Sequence, residues 1–202
     1  MDSVKKRRSI RNYSCRKVST DILRQVLEAA RWAPSAHNAQ LWRFFVLTDT
    51  SLKRELSEAM ANVWVAGMIK DGVASEAREN QSKASVDQFT YAPVLVVACL
   101  TVKDMFRYAD ESRQNGEHNL PVQSLGAAVQ NMLLTAHANG WGACWFCAQI
   151  FCKGTLNKIL KVPDDVEPQA LITLGYPAEK PHAPSRKPLE AYAYLDYWGK
   201  KL

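Results

Sequence analysis

Eight consecutive residues, Pro93-Val94-Leu95-Val96-Val97-Ala98-Cys99-Leu100, contain no charge, hydroxyl or amide in any side chain. A strand that is apolar at every position cannot leave one face in water, so this run predicts a central strand. The segments around it supply both partners and cover. Arg43 to Thr48 is rich in aromatic and β-branched residues and reads as a strand, and Ala143 to Ala148 and Ala170 to Gly175 read as two more. Ser19 or Thr20 can cap a helix whose Ile22, Leu23, Val26, Leu27 and Ala30 recur at helical spacing, and Pro34 cannot continue it, so 20 to 36 is predicted as helix and then loop. Leu52 to Lys70 returns to a 3.6-residue period and stops at Asp71-Gly72. Residues 74 to 88 form a polar, solvent-facing or mobile helix, Pro121 to Ala138 a long buried one ended by Gly140-Trp141-Gly142, and Asn157 to Leu160 a short one. Four strands with four or more helices predict an α+β sandwich, helices on both sides of a mostly antiparallel sheet.

With 202 residues, 47% of them hydrophobic and 23% charged, the chain can bury a core as one domain over 1–202 without disulfide staples. Its five cysteines are read as reduced, and Cys144, Cys147 and Cys152 as packed thiols. Cys144 and Cys147 are three apart on a predicted strand and point to opposite faces, which disfavours the competing zinc reading. The N-terminus lacks the apolar stretch of a signal peptide and no run is long enough to span a bilayer, so a cytoplasmic location is expected. No GxSxG elbow, phosphate-binding loop, HExxH or paired-carboxylate motif is present, which leaves hydrolysis and phosphoryl transfer without support. Seven basic residues precede position 18 against the single acid Asp2, on a net charge of +6. That concentration points to an anionic partner, although charge alone equally describes a solvated face.

Two motifs give that charge a chemical meaning. Arg7-Arg8-Ser9-Ile10-Arg11 offers guanidinium forks and a hydroxyl suited to a phosphate. Ala33-Pro34-Ser35-Ala36-His37-Asn38-Ala39-Gln40-Leu41-Trp42 offers a rigid loop with an amide at Asn38 that can both donate and accept. Together they resemble the N-terminal signature of the nitroreductase family, with Leu41 in place of the proline common before that tryptophan. Gly140-Trp141-Gly142-Ala143-Cys144-Trp145 resembles the family's glycine-rich turn into a flavin-facing strand, and Pro184-Ser185-Arg186-Lys187-Pro188 its terminal basic segment.

The resemblance implies FMN as cofactor and a homodimer with an active site shared between subunits. By the same resemblance Arg7, Arg8, Ser9, Arg11, Arg186 and Lys187 hold phosphate, while Pro34, Ser35, Asn38, Gln88, Trp145, Phe146, Cys147 and Ala148 lie at the ring. Gln88 stands where many relatives carry a lysine near flavin N1 and O2. No catalytic side chain and no metal are implied, because the cofactor carries the chemistry: an electron pair enters from a reduced nicotinamide or deazaflavin and leaves to an organic acceptor. Trp64, Trp141 and Trp145 could stack on a planar ring, and Tyr192, Tyr194, Tyr197 and Trp198 read as an arm packed on a partner subunit. A narrower resemblance, over Ala59 to Gly72 and from Gly142 into the 160s, is to the nitroreductase-like domain of the bifunctional enzyme that makes the 5-deazaflavin coenzyme F-420; it implies reduction of a dehydro precursor of that coenzyme. A general NAD(P)H nitro or quinone reductase, a protein that stores a flavin or deazaflavin without turnover, and nucleic-acid binding through the basic N-terminus are the other readings.

Overall fold

The computed structural model describes residues 2–202. At its centre lies an antiparallel sheet in the order β1-β2-β4-β3, formed by β1 (Trp42–Leu47), β2 (Val94–Thr101), β3 (Gly142–Phe146) and β4 (Val166–Gly175). Every residue of β2 is buried, as its unbroken apolar run requires. Alternate side chains of that strand feed two cores. Val94, Val96, Ala98 and Leu100 pack with Val26 of α2 (Thr20–Arg31) and Ala128 and Met132 of α5 (Glu111–Ala138). Leu95, Val97 and Cys99 pack on the other side with Leu56 and Met60 of α3 (Thr50–Lys70), Phe89 of α4 (Ser75–Thr90) and Leu156 of α6 (Lys153–Leu160). The α+β sandwich is thus observed, with a short α1 (Asp2–Lys6) preceding it.

Helix starts follow capping chemistry. The Ser19 hydroxyl accepts the Ile22 amide at 3.4 Å to start α2, and the Asp49 carboxylate accepts the Leu52 amide at 2.7 Å to start α3. The sequence places the start of the fifth helix at Pro121, a residue suited to a first turn. It begins instead at Glu111, because the Asp110 carboxylate caps it by accepting the Arg113 amide at 2.9 Å, and Pro121 lies in its interior. Likewise β4 begins at Val166 rather than Ala170: beyond a register shift at Ala98/Cys99, Val166, Glu167 and Pro168 pair with Thr101, Leu100 and Cys99. The sixth helix begins at Lys153 rather than Asn157. The polar stretch 74 to 88 is a helix as expected, with none of its residues buried although it packs along α3; the helix runs on past it and buries Phe89 and Thr90 at its end.

All five cysteines are free, and burial pushes the Cys99 thiol up to about 12. Among the described residues no cluster of His, Cys, Asp or Glu is arranged to hold a metal, and no helix is long and apolar enough to cross a membrane.

Candidate active site

The basic motif is extended and docks on the sheet edge. Ser9 pairs in parallel with Ala143 of β3, the Ile10 amide donates to the Ala143 carbonyl at 3.0 Å, and Tyr13 pairs with Pro177 beyond β4. This approach requires two glycines without side chains. A Cβ on Gly142 would lie 2.7 Å from Ile10, and one on Gly175 would lie 2.7 Å from Pro93 and 2.8 Å from Tyr13. The Tyr13 hydroxyl donates to the Ile10 carbonyl at 2.5 Å and meets Thr173 Oγ1 at 2.7 Å, and burial pushes its pKa up. Glu179 fastens the far side by accepting the Arg11 and Asn12 amides, and those bonds, the Arg11 amide first, hold its carboxyl below the usual range.

An extended segment sends alternate side chains to opposite sides. Ile10 is buried against Gly142, while Arg7, Ser9 and Arg11 all act on the Cys144 thiol: burial raises its pKa, and the two guanidinium groups and the Ser9 hydroxyl pull against that rise. Arg8 does not join them. Its guanidinium folds back onto the carbonyls of Lys5 and Arg7 at 2.8 and 2.7 Å.

Arg11 and Gln88 enter a cleft of about 750 Å³ between the sheet end and α3 and α4. The Gln88 amide donates to the Arg11 carbonyl at 2.9 Å, joining α4 to the N-terminal segment across 77 positions of sequence. The Arg11 guanidinium lies 5.8 Å from the centroid of Phe146, whose ring meets Phe89 edge-on at 5.0 Å. Phe146 and Ala148 form one wall, and Met60, Val63 and Trp64 of α3 line it too. Trp64 was visible in the sequence as a stacking candidate; Met60, Val63 and Phe89 were not, because their spacing reads as ordinary core.

The remaining candidate residues lie elsewhere in one chain. Pro34, Ser35 and Asn38 belong to a loop docked on α5, where the Ala36 amide donates to Ser124 Oγ at 3.1 Å. His37, Asn38 and Gln40 there have φ of 56, 51 and 50°, a left-handed geometry that non-glycine residues adopt at a cost. Trp145 projects toward Gly126 of α5, on the face opposite Phe146, and Cys147 is exposed just past β3. Arg7 and Arg8 line a separate cleft of about 550 Å³ with Lys6, His137 and Lys180. Arg186 and Lys187 lie on the exposed C-terminal tail, and Arg186 donates to the Ser185 carbonyl at 3.4 Å and lines neither cleft.

The family model for the nitroreductase family matches residues 4–176, which span the docked N-terminal segment, the whole sheet and both helical layers. The chain belongs to the nitroreductase family. As a member of this oxidoreductase family it is 30% identical over 209 residues to an NADH dehydrogenase of Thermus thermophilus, covering 92% of this chain and 90% of that one. It is 31% identical over 188 residues to a provisionally named NADH dehydrogenase/NAD(P)H nitroreductase of Methanothermobacter thermautotrophicus, covering 90% of this chain and 78% of that one. Among solved structures, a BluB-like flavoprotein of Clostridium difficile 630 superposes with a TM-score of 0.81 at 25% identity, covering 97% and 98% of the two chains. In this nitroreductase-family chain the motif carrying the resemblance and the two-sided sheet are parts of one architecture: the edge of β3 is where the basic segment docks.

Proposed function

We propose that the chain is an FMN-dependent oxidoreductase that moves electron pairs from a reduced nicotinamide or deazaflavin to an organic acceptor. The observation that carries this reading is the cleft in which Arg11, Gln88, Phe146 and Ala148, four residues chosen from sequence, share one wall system. Its size falls within the range of about 300–1,000 Å³ usual for small-molecule sites. The residues lining the cleft suit a flavin ring: flat apolar surface from Phe146 and Trp64, and an amide and a guanidinium from Gln88 and Arg11 for its polar edge. The phosphate is assigned to Arg7 and Ser9, which precede Arg11 on the docked segment, with Arg7 lining the separate cleft beyond it.

FMN, when bound, supplies hydride acceptance and donation at N5. The protein's part is binding and electrostatics. Gln88 is neutral where a cation is expected, but its bond to the Arg11 backbone brings the Arg11 guanidinium into the same cleft, so Arg11 is the group that offsets negative charge on the polar edge of the ring. Apolar side chains of α3 and Phe89 beside it lower the local polarity and strengthen that interaction.

The separation of the Asn38 loop and the Arg186 tail from this cleft within one chain supports a homodimer in which a second copy completes the site. Light scattering on the purified chain is expected to give twice the monomer mass; a monomer would leave Asn38 without a role at the ring.

The names of the relatives favour a nicotinamide donor and, in one of the two, a nitro acceptor. The deazaflavin-precursor reading is favoured by one separate observation: Met60, Val63, Trp64 and Gly67, inside the stretch that carries that resemblance, line the cleft. Anaerobic mixing of the FMN-loaded protein with NADH, NADPH or a reduced deazaflavin decides between catalysis and storage. Bleaching of the flavin by at least one donor, followed by reoxidation on adding acceptor, is expected; no bleaching with any donor would make this a flavin store.

A further inference from the structure

The cleft does not end at Phe151 and Cys152. These two residues and Val63 also line a second trough of about 530 Å³ that runs onto α6 and is bounded there by Lys153, Thr155 and Lys158. The charge along this continuous surface is one-sided. Among the described residues, Arg11 is the only charged one lining the cleft, Lys153 and Lys158 are the only charged ones lining the trough, and neither lining holds a carboxylate, although Glu167 lies behind Lys153. In a chain with 20 Asp and Glu residues, an acid-free lining beside apolar walls leaves a positive potential along this surface.

The two lysines are held differently. Lys153 Nζ is anchored by Glu167 at 2.7 Å, which also receives His118 Nε2 at 3.1 Å and so ties the start of α6 to β4 and α5. Lys158, one turn further along α6, is exposed and makes no ion pair among the described residues. Thr155 adds a hydroxyl between them.

We infer that the acceptor at this site carries an oxyanion group, a carboxylate or a phosphate, held by Lys158 and Lys153 in the trough while its apolar ring lies in the main cleft. This assignment of substrate class rests on the proposed FMN reading for the reaction, but the binding it predicts does not. A neutral acceptor can fill the apolar cleft and leaves the lysines to water. An anionic one adds charge-assisted hydrogen bonds at the trough, and screening by salt weakens only that part.

Titration calorimetry on the whole protein, with and without FMN, tests this with 3-(4-nitrophenyl)propanoate, 2-(4-nitrophenyl)ethyl phosphate and the neutral 3-(4-nitrophenyl)propanamide. At least one anion is expected to bind about tenfold or more tighter than the amide, and whichever does so identifies the oxyanion. Lys158→Glu should abolish that preference while leaving FMN affinity at the wild-type value. Equal binding of the amide and both anions, or a preference that survives Lys158→Glu, overturns the inference even if FMN binds and bleaches. A Lys158-dependent preference in a protein that fails to bind FMN would uphold the anion site and discard only the cofactor reading.

Discussion

Gly142 and Ile10 fix where the basic segment sits. Any larger residue at 142 puts a Cβ within 2.7 Å of Ile10 Cγ2 and 2.8 Å of its Cβ, atoms too near the backbone to swing aside, so the strand edge and the segment must separate. Gly142→Ala is expected to cost about 1–3 kcal/mol of stability, the usual range for overpacking. In urea melts the double variant Gly142→Ala/Ile10→Ala should lose less than the sum of the two single variants; strict additivity would mean that the two do not meet. At this scale the sequence was read unevenly. Arg7, Ser9 and Arg11 all act on the Cys144 thiol, but Arg7 also lines a cleft with Arg8 and Ile10 that Arg11 does not line. That Arg8 turns back onto its own backbone carbonyls is not visible in a run of like charges, because charge says nothing about which guanidinium finds a nearby acceptor. The entry of Arg11 into the main cleft accompanies a bond from Gln88, far along the chain, and no local pattern encodes it.

Elements rather than single residues join the cleft to its trough. Glu167 of β4 receives Lys153 of α6, His118 of α5 and Gln169, at 2.7, 3.1 and 3.3 Å. Partial burial of the Glu167 carboxyl would raise its pKa, but the bonds from Lys153 and His118 outweigh that and hold it below the usual range. A carboxyl held low in the folded state contributes stability that is present above its unfolded pKa of about 4.3 and is lost as pH falls through the folded value. Glu167→Gln is therefore expected to lower stability by about 1 kcal/mol at pH 7, a modest amount because both partners are partly exposed, with the difference from wild type vanishing in the acid range below pH 4. A difference that persisted unchanged into acid would assign the loss to packing instead. Most elements could be read from periodicity, β2 above all, since burial on both faces leaves no polar position in it. Two of the three elements misjudged at their starts share one cause: Pro121 and Pro168 mark breaks in local propensity, and tertiary pairing or an upstream cap carried helix and strand through them.

At the scale of the whole molecule, two helical layers close on a sheet whose β3 edge is left for the N-terminal segment, and the main cleft opens where α3, α4 and the end of β3 meet. The layered fold follows from a sequence in which one strand is apolar throughout and the helices carry the complementary stripes. Assembly of the site is less legible, because Arg186 and Asn38 do not line the cleft that Arg11 enters, and in the proposed dimer their roles would depend on a second copy, which pattern in a single sequence does not describe. The account stands on the extended basic segment acting as the phosphate-binding part of an FMN site. Titration of FMN into wild-type protein and into Arg7→Ala, followed by quenching of flavin fluorescence, measures this directly: the variant should bind at least about tenfold more weakly, a loss of about 1.4 kcal/mol or more. Equal affinity in the two proteins would contradict it.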